Sequence, residues 1–241
     1  MFVNAAAYTA VDKAETEPEV ALRINGEGPG FVAEIAAELQ TPLLHLSTDY
    51  VFDGALNRPY LENDHTGPTG AYGQSKLLGE QKIAAIHPDS AILRTAWVYS
   101  PFGANFVKTM LRLGETREEV SVVADQIGNP TSALDIADTL VTIAARLRTD
   151  SDPKLRGVFH MTGTGEATWA DFAEAVFQEA ERHGRAPVRV KRVATVDYPT
   201  PARRPANSRL DTTKLAQCYG VKLPDWRTSL AVCVARLMKR A

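Results

Sequence analysis

Short apolar runs that end in polar residues alternate with helical segments in the first hundred residues of this chain. The run "PLLHLSTDYVF" (42–52) has leucines near its start and the polar residues Ser-Thr-Asp after them, and "SAILRTAWVYS" (90–100) likewise passes from apolar to polar residues. Helical spacing of apolar residues marks residues 18–40, where Pro29 restarts the helix, and residues 69–86. Helices that alternate with buried strands predict an α/β fold, in which right-handed crossovers form a parallel sheet with helices on both faces.

The pattern loosens beyond residue 100, and this half is predicted to form a smaller lobe at the end of the sheet. Residues 168–184 predict a helix, with Thr168 as its N-cap and Gly184 at its end. The proline-rich residues 197–215 predict a long loop that leads into a final helical region.

Composition and charge narrow the class of protein. The 241 residues are 44% hydrophobic and carry a formal net charge of −2, so no long-range field attracts nucleic acid or an anionic membrane. Cys218 and Cys233 form no Cys-x-x-Cys pair and the five histidines are scattered, so neither a disulfide framework nor a metal site is predicted. No apolar run is as long as a membrane span, and the first residues do not resemble a signal peptide. We therefore expect a cytoplasmic protein without nucleic-acid or membrane partners.

The candidate chemistry lies where the two strands end, because ligands of open parallel sheets bind outside the carboxyl ends of the strands. Thr48 and Asp49 follow the first run, and the helix after it carries Tyr72 and Lys76, which share one helical face. A lysine ammonium close to a tyrosine lowers the phenol's pKa from near 10 toward neutrality. With a threonine hydroxyl on the same substrate oxygen, the three groups would stabilise an alkoxide that forms as hydride reaches a carbonyl carbon.

Each of these residues also has a purely structural interpretation. Tyr-x-x-x-Lys occurs by chance in many helices, Thr48 could cap a strand end, Asp49 could cap a turn, and Trp97 could belong to the core. Two glycine-containing stretches, "GEGPG" (26–30) and "GTGEA" (163–167), do not fit the G-x-G-x-x-G pattern between a strand and a helix. The reactive interpretation depends on the shared position of these side chains at one edge of the sheet.

Seven blocks distributed over nearly the whole chain carry a family resemblance. They are "VNAAAYTAVDKAE" (3–15), "STDYVFDG" (47–54), "AYGQSKLLGE" (71–80), "RTAWVY" (94–99), "NFVKTMLRL" (105–113), "VVADQIGNPT" (122–131) and "RPANSRLD" (204–211). The chain resembles the dTDP-4-dehydrorhamnose reductases, which belong to the extended short-chain dehydrogenase/reductases. The resemblance implies a Rossmann-like, doubly wound parallel sheet with a smaller C-terminal substrate-binding lobe. It assigns residues 1–104 and 132–150 to the dinucleotide-binding domain, and residues 105–131 and 151–241 to the lobe.

The resemblance also implies an activity and its residues. The implied reaction is the reduction of the 4-keto group of dTDP-4-dehydro-L-rhamnose to dTDP-L-rhamnose, with NADPH or NADH as cofactor. Tyr72 matches the proton donor, Lys76 matches the lysine that lowers its pKa and binds the nicotinamide ribose, and Thr48 matches the hydroxyl that contacts the substrate. The positions that match the path of the chain along the cofactor are Ala7, Tyr8 and Thr9.

Substrate contacts are implied for Thr48, Asp49 and Trp97. Related sugar-nucleotide 4,6-dehydratases have a glutamate after the Thr-Asp pair, whereas this chain has Tyr50, which favours simple reduction. No metal is expected, and a homodimer is left open.

One departure from the family pattern concerns the cofactor. The chain opens at the position of the family's fourth strand, so the glycine-rich phosphate turn and the residue that selects between NADH and NADPH are absent. This predicts either a start further upstream or a fragment with a reaction centre and a reduced cofactor site. A non-catalytic relative that binds a ligand or partner is the alternative function.

Overall fold

The computed structural model of the protein describes residues 1–239. Its strands are β1 (Phe2–Asn4), β2 (Leu43–Thr48), β3 (Ser90–Thr95), β4 (Val98–Tyr99), β5 (Glu119–Val123), β6 (Ile127–Gly128), β7 (Thr131–Ser132), β8 (Gly157–His160), β9 (Ala167–Thr168), β10 (Arg189–Val193) and β11 (Asn207–Ser208). Its α-helices are α1 (Val11–Ala14), α2 (Pro18–Ala21), α3 (Gly28–Glu38), α4 (Ala71–Ile86), α5 (Phe106–Leu113), α6 (Ala133–Thr149), α7 (Trp169–Arg182), α8 (Thr213–Tyr219) and α9 (Trp226–Met238).

The main sheet contains four parallel strands in the order β1-β2-β3-β8. Strands β2 and β3 are its centre, and their residues are almost all buried, as expected of strands covered on both faces. One face packs on α3 and α4 through a cluster that includes Leu43, Ile83 and Ile92. The other packs on α6 and α8 through a cluster that includes Leu44 and Phe159. The predicted doubly wound α/β architecture is confirmed.

Two of the predicted strands are shorter than their apolar runs. Strand β2 ends at Thr48, and a 3₁₀ turn over Asp49–Val51 follows. The run 90–100 is interrupted at Trp97, whose φ of 47° lies in the left-handed region and separates β3 from β4. Both breaks fall at the carboxyl edge of the sheet, where they redirect the chain toward the candidate site.

The predicted helix 18–40 is divided by a π-helical segment, Leu22–Glu27, between α2 and α3. This segment lies against α4 at a very short backbone distance, because a Cβ on Gly79 would come within 2.2 Å of the Asn25 carbonyl oxygen. The junction between the π-helical segment and α3 is formed by "GEGPG" (26–30). Within it, Gly26 packs against Leu78 of α4. The close approach places the Asn25 side chain beside the first turns of α4.

The second half of the chain builds a second core on α5, α7 and α9. Val107, Phe172 and Trp226 are fully buried in it, and the parallel pair β5–β10 flanks it. Thr168 is the N-cap of α7, as predicted, and it forms a complete capping box with Asp171. The sequence placed residues 157–160 in the lobe, but in the structure they form β8, pair with β3 and belong to the main sheet. The rest of the predicted domain division stays a prediction.

No helix within residues 1–239 is long and apolar enough to cross a membrane.

Candidate active site

The carboxyl end of β2 places two polar side chains in a buried position. Thr48 and Asp49 are 6% and 3% exposed, and the Thr48 hydroxyl donates a hydrogen bond to Asp49 Oδ1 at 2.9 Å. The same hydroxyl accepts from the Tyr50 amide at 3.2 Å, which caps the 3₁₀ turn. Burial raises the pKa of Asp49 to about 6, although the hydroxyls of Ser208 and Thr48 oppose the rise.

Tyr72 lies in the first turn of α4, next to this strand end. Its ring meets the edge of the Tyr50 ring, with centroids 5.5 Å apart. A Cβ on Gly73 would come within 2.2 Å of the Tyr50 carbonyl oxygen, so only glycine allows α4 to begin so close to the 3₁₀ turn. The structure thus brings Tyr72 together with Thr48, whose hydroxyl influences the phenol.

The ionisation of Tyr72 differs from the expectation. Burial raises the pKa of Tyr72 above its usual value, and the negative charge of Asp49 adds to the rise, while the Thr48 hydroxyl opposes it. The net change is thus opposite to the predicted lowering, and the effect of Lys76 on this pKa stays a prediction. The physical reason is that loss of solvent and the neighbouring carboxylate disfavour the phenolate.

Lys76 lies one turn further along α4 and is 2% exposed. Its Nζ donates to the Leu46 carbonyl at 2.7 Å and lies 3.4 Å from Nε2 of His45. Burial lowers the pKa of Lys76 to about 8, and Glu80 opposes the change. The lysine is therefore anchored to β2, the strand that also carries Thr48.

The segment predicted to follow the cofactor lies beyond β1, beside these groups. The Asn25 side chain accepts from the Tyr8 amide at 2.8 Å, donates to the Tyr8 carbonyl at 2.9 Å and reaches the Ser75 hydroxyl at 3.1 Å. Ala7 is partly buried and Thr9 is exposed. Through Asn25 this segment is tied to the residue adjacent to Lys76.

Trp97 is held by aromatic packing on the lobe side. Its ring stacks on Trp169 with centroids 3.6 Å apart, and a Cβ on Gly128 would come within 2.5 Å of it. Trp97 remains partly exposed. The structure places this residue at the junction of β3 and the second core, and its predicted substrate contact stays a prediction.

A groove of about 700 Å³ lies next to this site. Its lining includes Asp53, Gln126, Thr195 and Arg204. Arg204 also donates to the Tyr50 hydroxyl at 2.9 Å, and the Tyr50 ring contacts Tyr72. The groove is thus separated from the candidate proton donor by Tyr50 and is large enough for part of a nucleotide sugar.

Sequence reasoning missed several residues that support the site. They are Asn25, His45, Glu80, Arg94 and Arg204, and each acts through contacts between segments that are distant in the chain. The available signal was a polar residue at a position where the pattern requires an apolar one, as at His45 within "PLLHLS". The pattern could mark His45 as unusual but could not identify its partner.

Comparisons with known proteins agree with this geometry. The family model described as "RmlD substrate binding domain" matches residues 1–239. The dTDP-4-dehydrorhamnose reductase of Sinorhizobium fredii is 53% identical over 229 residues, which are 95% of this chain and 77% of that protein. The chain belongs to the dTDP-4-dehydrorhamnose reductase family.

Solved structures of this family have the same fold. The dTDP-4-dehydrorhamnose reductase from Clostridium acetobutylicum superposes with a TM-score of 0.90 at 38% identity, over 98% of this chain and 80% of that one. The Bacillus anthracis enzyme, solved in complex with NADP, superposes with a TM-score of 0.87 at 37% identity, over 97% of this chain and 79% of that one. The suspected family membership is confirmed.

The donor groups of the site fit the nicotinamide ribose of such a cofactor. An ammonium has three N–H donors, and within residues 1–239 the Leu46 carbonyl and the His45 ring account for two of those of Lys76. The third donor is available for a ribose hydroxyl. The small residues Ala5 and Ala6, both exposed, follow β1 and leave space beside the sheet edge. Within the same residues, no cluster of histidine, cysteine and acidic side chains could hold a metal ion.

Proposed function

We propose that this protein reduces the 4-keto group of dTDP-4-dehydro-L-rhamnose to give dTDP-L-rhamnose, with NADPH as reductant, in the biosynthesis of dTDP-rhamnose for polysaccharides. The observations that support this proposal are the proximity of Tyr72 to the Thr48 hydroxyl and the anchoring of Lys76 to the same strand, β2, in a chain 53% identical to a reductase of that name. NADPH is favoured over NADH because a relative of known structure binds NADP.

The residues of this chain supply the proton and the electrostatic stabilisation. Bound NADPH would supply the hydride that reaches the carbonyl carbon. Tyr72 would then give its proton to the carbonyl oxygen, and its raised pKa keeps the phenol protonated at neutral pH. The transfer is favourable because an alkoxide is a stronger base than a phenolate.

Thr48 and Lys76 would assist this transfer. The Thr48 hydroxyl, now bonded to Asp49, can turn to donate to the same substrate oxygen. The Lys76 ammonium, held by the Leu46 carbonyl, would stabilise the developing negative charge and bind the ribose. The segment Ala7, Tyr8 and Thr9 would lie along the cofactor.

Asp49 and Trp97 are proposed to contact the sugar, and the groove beside Arg204 to hold part of the nucleotide. In this proposal the lobe of residues 105–131 and 151–241, without strand β8, covers the substrate bound at residues 1–104 and 132–150. The non-catalytic alternative is not favoured, because it gives no reason for a proton donor at Tyr72. Cytoplasmic location, a homodimer, and the absence of nucleic-acid and membrane partners stay predictions.

Turnover of the purified chain tests the proposal directly. NADPH oxidation with dTDP-4-dehydro-L-rhamnose is followed by absorbance, and the sugar product is identified by NMR. Tyr72→Phe should lower kcat at least ~100-fold, because general acid catalysis contributes that much, while sugar-nucleotide binding persists. Lys76→Met should also abolish turnover.

The matched control for Tyr72→Phe is Tyr219→Phe. This change removes a phenol hydroxyl that bonds the Leu155 carbonyl in the core on the other face of the sheet. Its kcat should stay near that of the unaltered chain. Near-normal turnover in Tyr72→Phe would contradict the assignment of the proton donor.

A further inference from the structure

A chain of three polar side chains leads from the edge of the main sheet to Lys76. His45 lies on β2, opposite Asn4 of β1, and is completely buried. Its Nδ1 is 3.1 Å from the Asn4 side-chain nitrogen, and its Nε2 is 3.4 Å from Nζ of Lys76. Both ring nitrogens therefore face polar partners, although the strand around them is packed in hydrocarbon.

The other charged groups near His45 compensate each other. Glu80, one turn beyond Lys76 on α4, forms an ion pair with Arg94 of β3 at 2.6 Å and accepts from the Ser47 hydroxyl. Asn4 on β1 carries no charge. The remaining charge that faces the ring is the Lys76 ammonium.

Charge and burial together fix how the ring can bond. Burial lowers the pKa of His45 well below its usual value, and the Lys76 charge lowers it further, so the ring is neutral. A neutral imidazole has one donor and one acceptor nitrogen, whereas an ammonium only donates. Nε2 must therefore accept from Lys76, and the ring proton lies on Nδ1. The Asn4 oxygen, which accepts from the Ala6 amide at 3.2 Å, receives this proton once the side-chain amide rotates and gives up that bond.

We propose that His45 is a positioning residue, which holds the Lys76 ammonium at the carboxyl end of β2 by accepting a hydrogen bond at Nε2. The Leu46 carbonyl provides the second fixed acceptor. Two acceptors on one strand orient the ammonium so that its third N–H points away from them, toward the ribose. The inference rests on the proposed function, because Lys76 needs such orientation only if the chain is a reductase.

Two polar substitutions separate this role from simple packing. Glutamine places a side-chain oxygen near the position of Nε2 and can still accept from Lys76. Asparagine places its amide near the position of Nδ1 and keeps only the contact with Asn4. Both are smaller than histidine and both leave a polar group in the same strand, so His45→Asn is the matched control for His45→Gln.

The experiment follows the ionisation of Lys76 by NMR in the full chain. Protein with ¹³C-labelled lysine is titrated from pH 6 to pH 10, and the Lys76 signal is identified by its absence in Lys76→Met. A hydrogen bond to the charged form raises a pKa, so its loss in His45→Asn should lower the Lys76 midpoint by ~1 pH unit, while His45→Gln should keep it. Thermal unfolding checks that both variants fold.

The pH dependence of kcat/KM for NADPH gives the second measurement. Its basic limb should move to lower pH in His45→Asn and stay in place in His45→Gln. Equal midpoints in the two variants, whether shifted or unshifted, would overturn the role of the Nε2 hydrogen bond. If one variant does not fold, the other is compared with the unaltered chain alone. A lowered Lys76 midpoint in His45→Asn, or an unchanged one in His45→Gln, would then support the proposal, and the reverse result would overturn it. Normal turnover in Lys76→Met would instead contradict the proposed function. The NMR titration would still test the hydrogen bond between His45 and Lys76.

Discussion

Asp49 carries its carboxyl group at the buried end of β2, where the charged form is poorly solvated. Its folded-state pKa of about 6 lies above the unfolded value of 3.8. The folded protein therefore binds this proton more tightly, and the associated stability is present below pH 4 and lost as pH rises through 6. Two pKa units correspond to about 3 kcal/mol. Asp49→Asn removes this cost of ionisation. The gain in the free energy of unfolding, relative to the unaltered protein, should therefore be larger at pH 7.5 than at pH 4, by up to about 3 kcal/mol.

Urea unfolding of both proteins at the two pH values measures this difference. Asp53→Asn is the matched control, because the pKa of the exposed Asp53 is lowered, chiefly by the Tyr60 hydroxyl. Asp53→Asn should lower the free energy of unfolding more at pH 7.5 than at pH 4, which is opposite to the effect of Asp49→Asn. The same effect of Asp49→Asn at pH 4 and pH 7.5 would contradict a raised pKa.

At the residue scale, the sequence located side chains that are close in the chain or share a helical face. Thr48 and Asp49 are consecutive, and Tyr72 and Lys76 are four apart on one helical face, so spacing alone predicts that the members of each pair lie close together. His45 and Asn4 could not be paired in this way, because 41 residues separate them. The net rise in the pKa of Tyr72 was not predictable from the sequence, because its burial and the orientation of Asp49 are tertiary properties.

At the scale of elements, α4 is joined to the main sheet by the buried ion pair of Glu80 and Arg94. Each side chain is 4% exposed, and Arg94 also lies over the Phe52 ring at 4.9 Å. Arg94→Met leaves the Glu80 carboxylate buried without its partner, so the free energy of unfolding should fall by about 3–5 kcal/mol. Removing both charges in Glu80→Met with Arg94→Met should recover most of that loss.

Chemical denaturation of the two single variants and the double variant checks this prediction. Arg58→Met is the control, because Arg58 pairs with Asp64 on the surface and its loss should cost less than about 1 kcal/mol. A double variant as unstable as the sum of the single variants would mean that the two side chains are not coupled, and would contradict the explanation by an isolated buried charge.

The long periodic elements were predictable, and the short ones were not. Helix α4 and strands β2 and β3 have clear apolar patterns, and the structure places them within a few residues of the predicted bounds. The two-residue strands β6, β9 and β11 form one small sheet from segments that are far apart in sequence. Such pairing depends on tertiary contacts, so no local pattern marks it.

At the scale of the whole molecule, the segment 197–215, predicted as one loop, contains strand β11 and the start of α8, and its first part contacts the N-terminal region of the chain. Arg204 forms an ion pair with Asp12 at 2.6 Å, and the Ala202 amide donates to the same carboxylate at 3.2 Å. These contacts connect residues about 190 positions apart. They also place the wall of the 700 Å³ groove against the segment proposed to follow the cofactor.

Arg204→Ala should therefore loosen this connection without unfolding the protein. Both side chains of the ion pair are partly exposed, so global stability should change by less than about 1 kcal/mol. Hydrogen exchange measured by mass spectrometry should increase in residues 10–14 and 199–206 and stay constant in α7. Arg203→Ala is the control, because Arg203 lines the same groove but forms no ion pair within residues 1–239. Unchanged exchange in residues 10–14, or an equal increase throughout the chain, would show that Arg204 does not hold the two ends together.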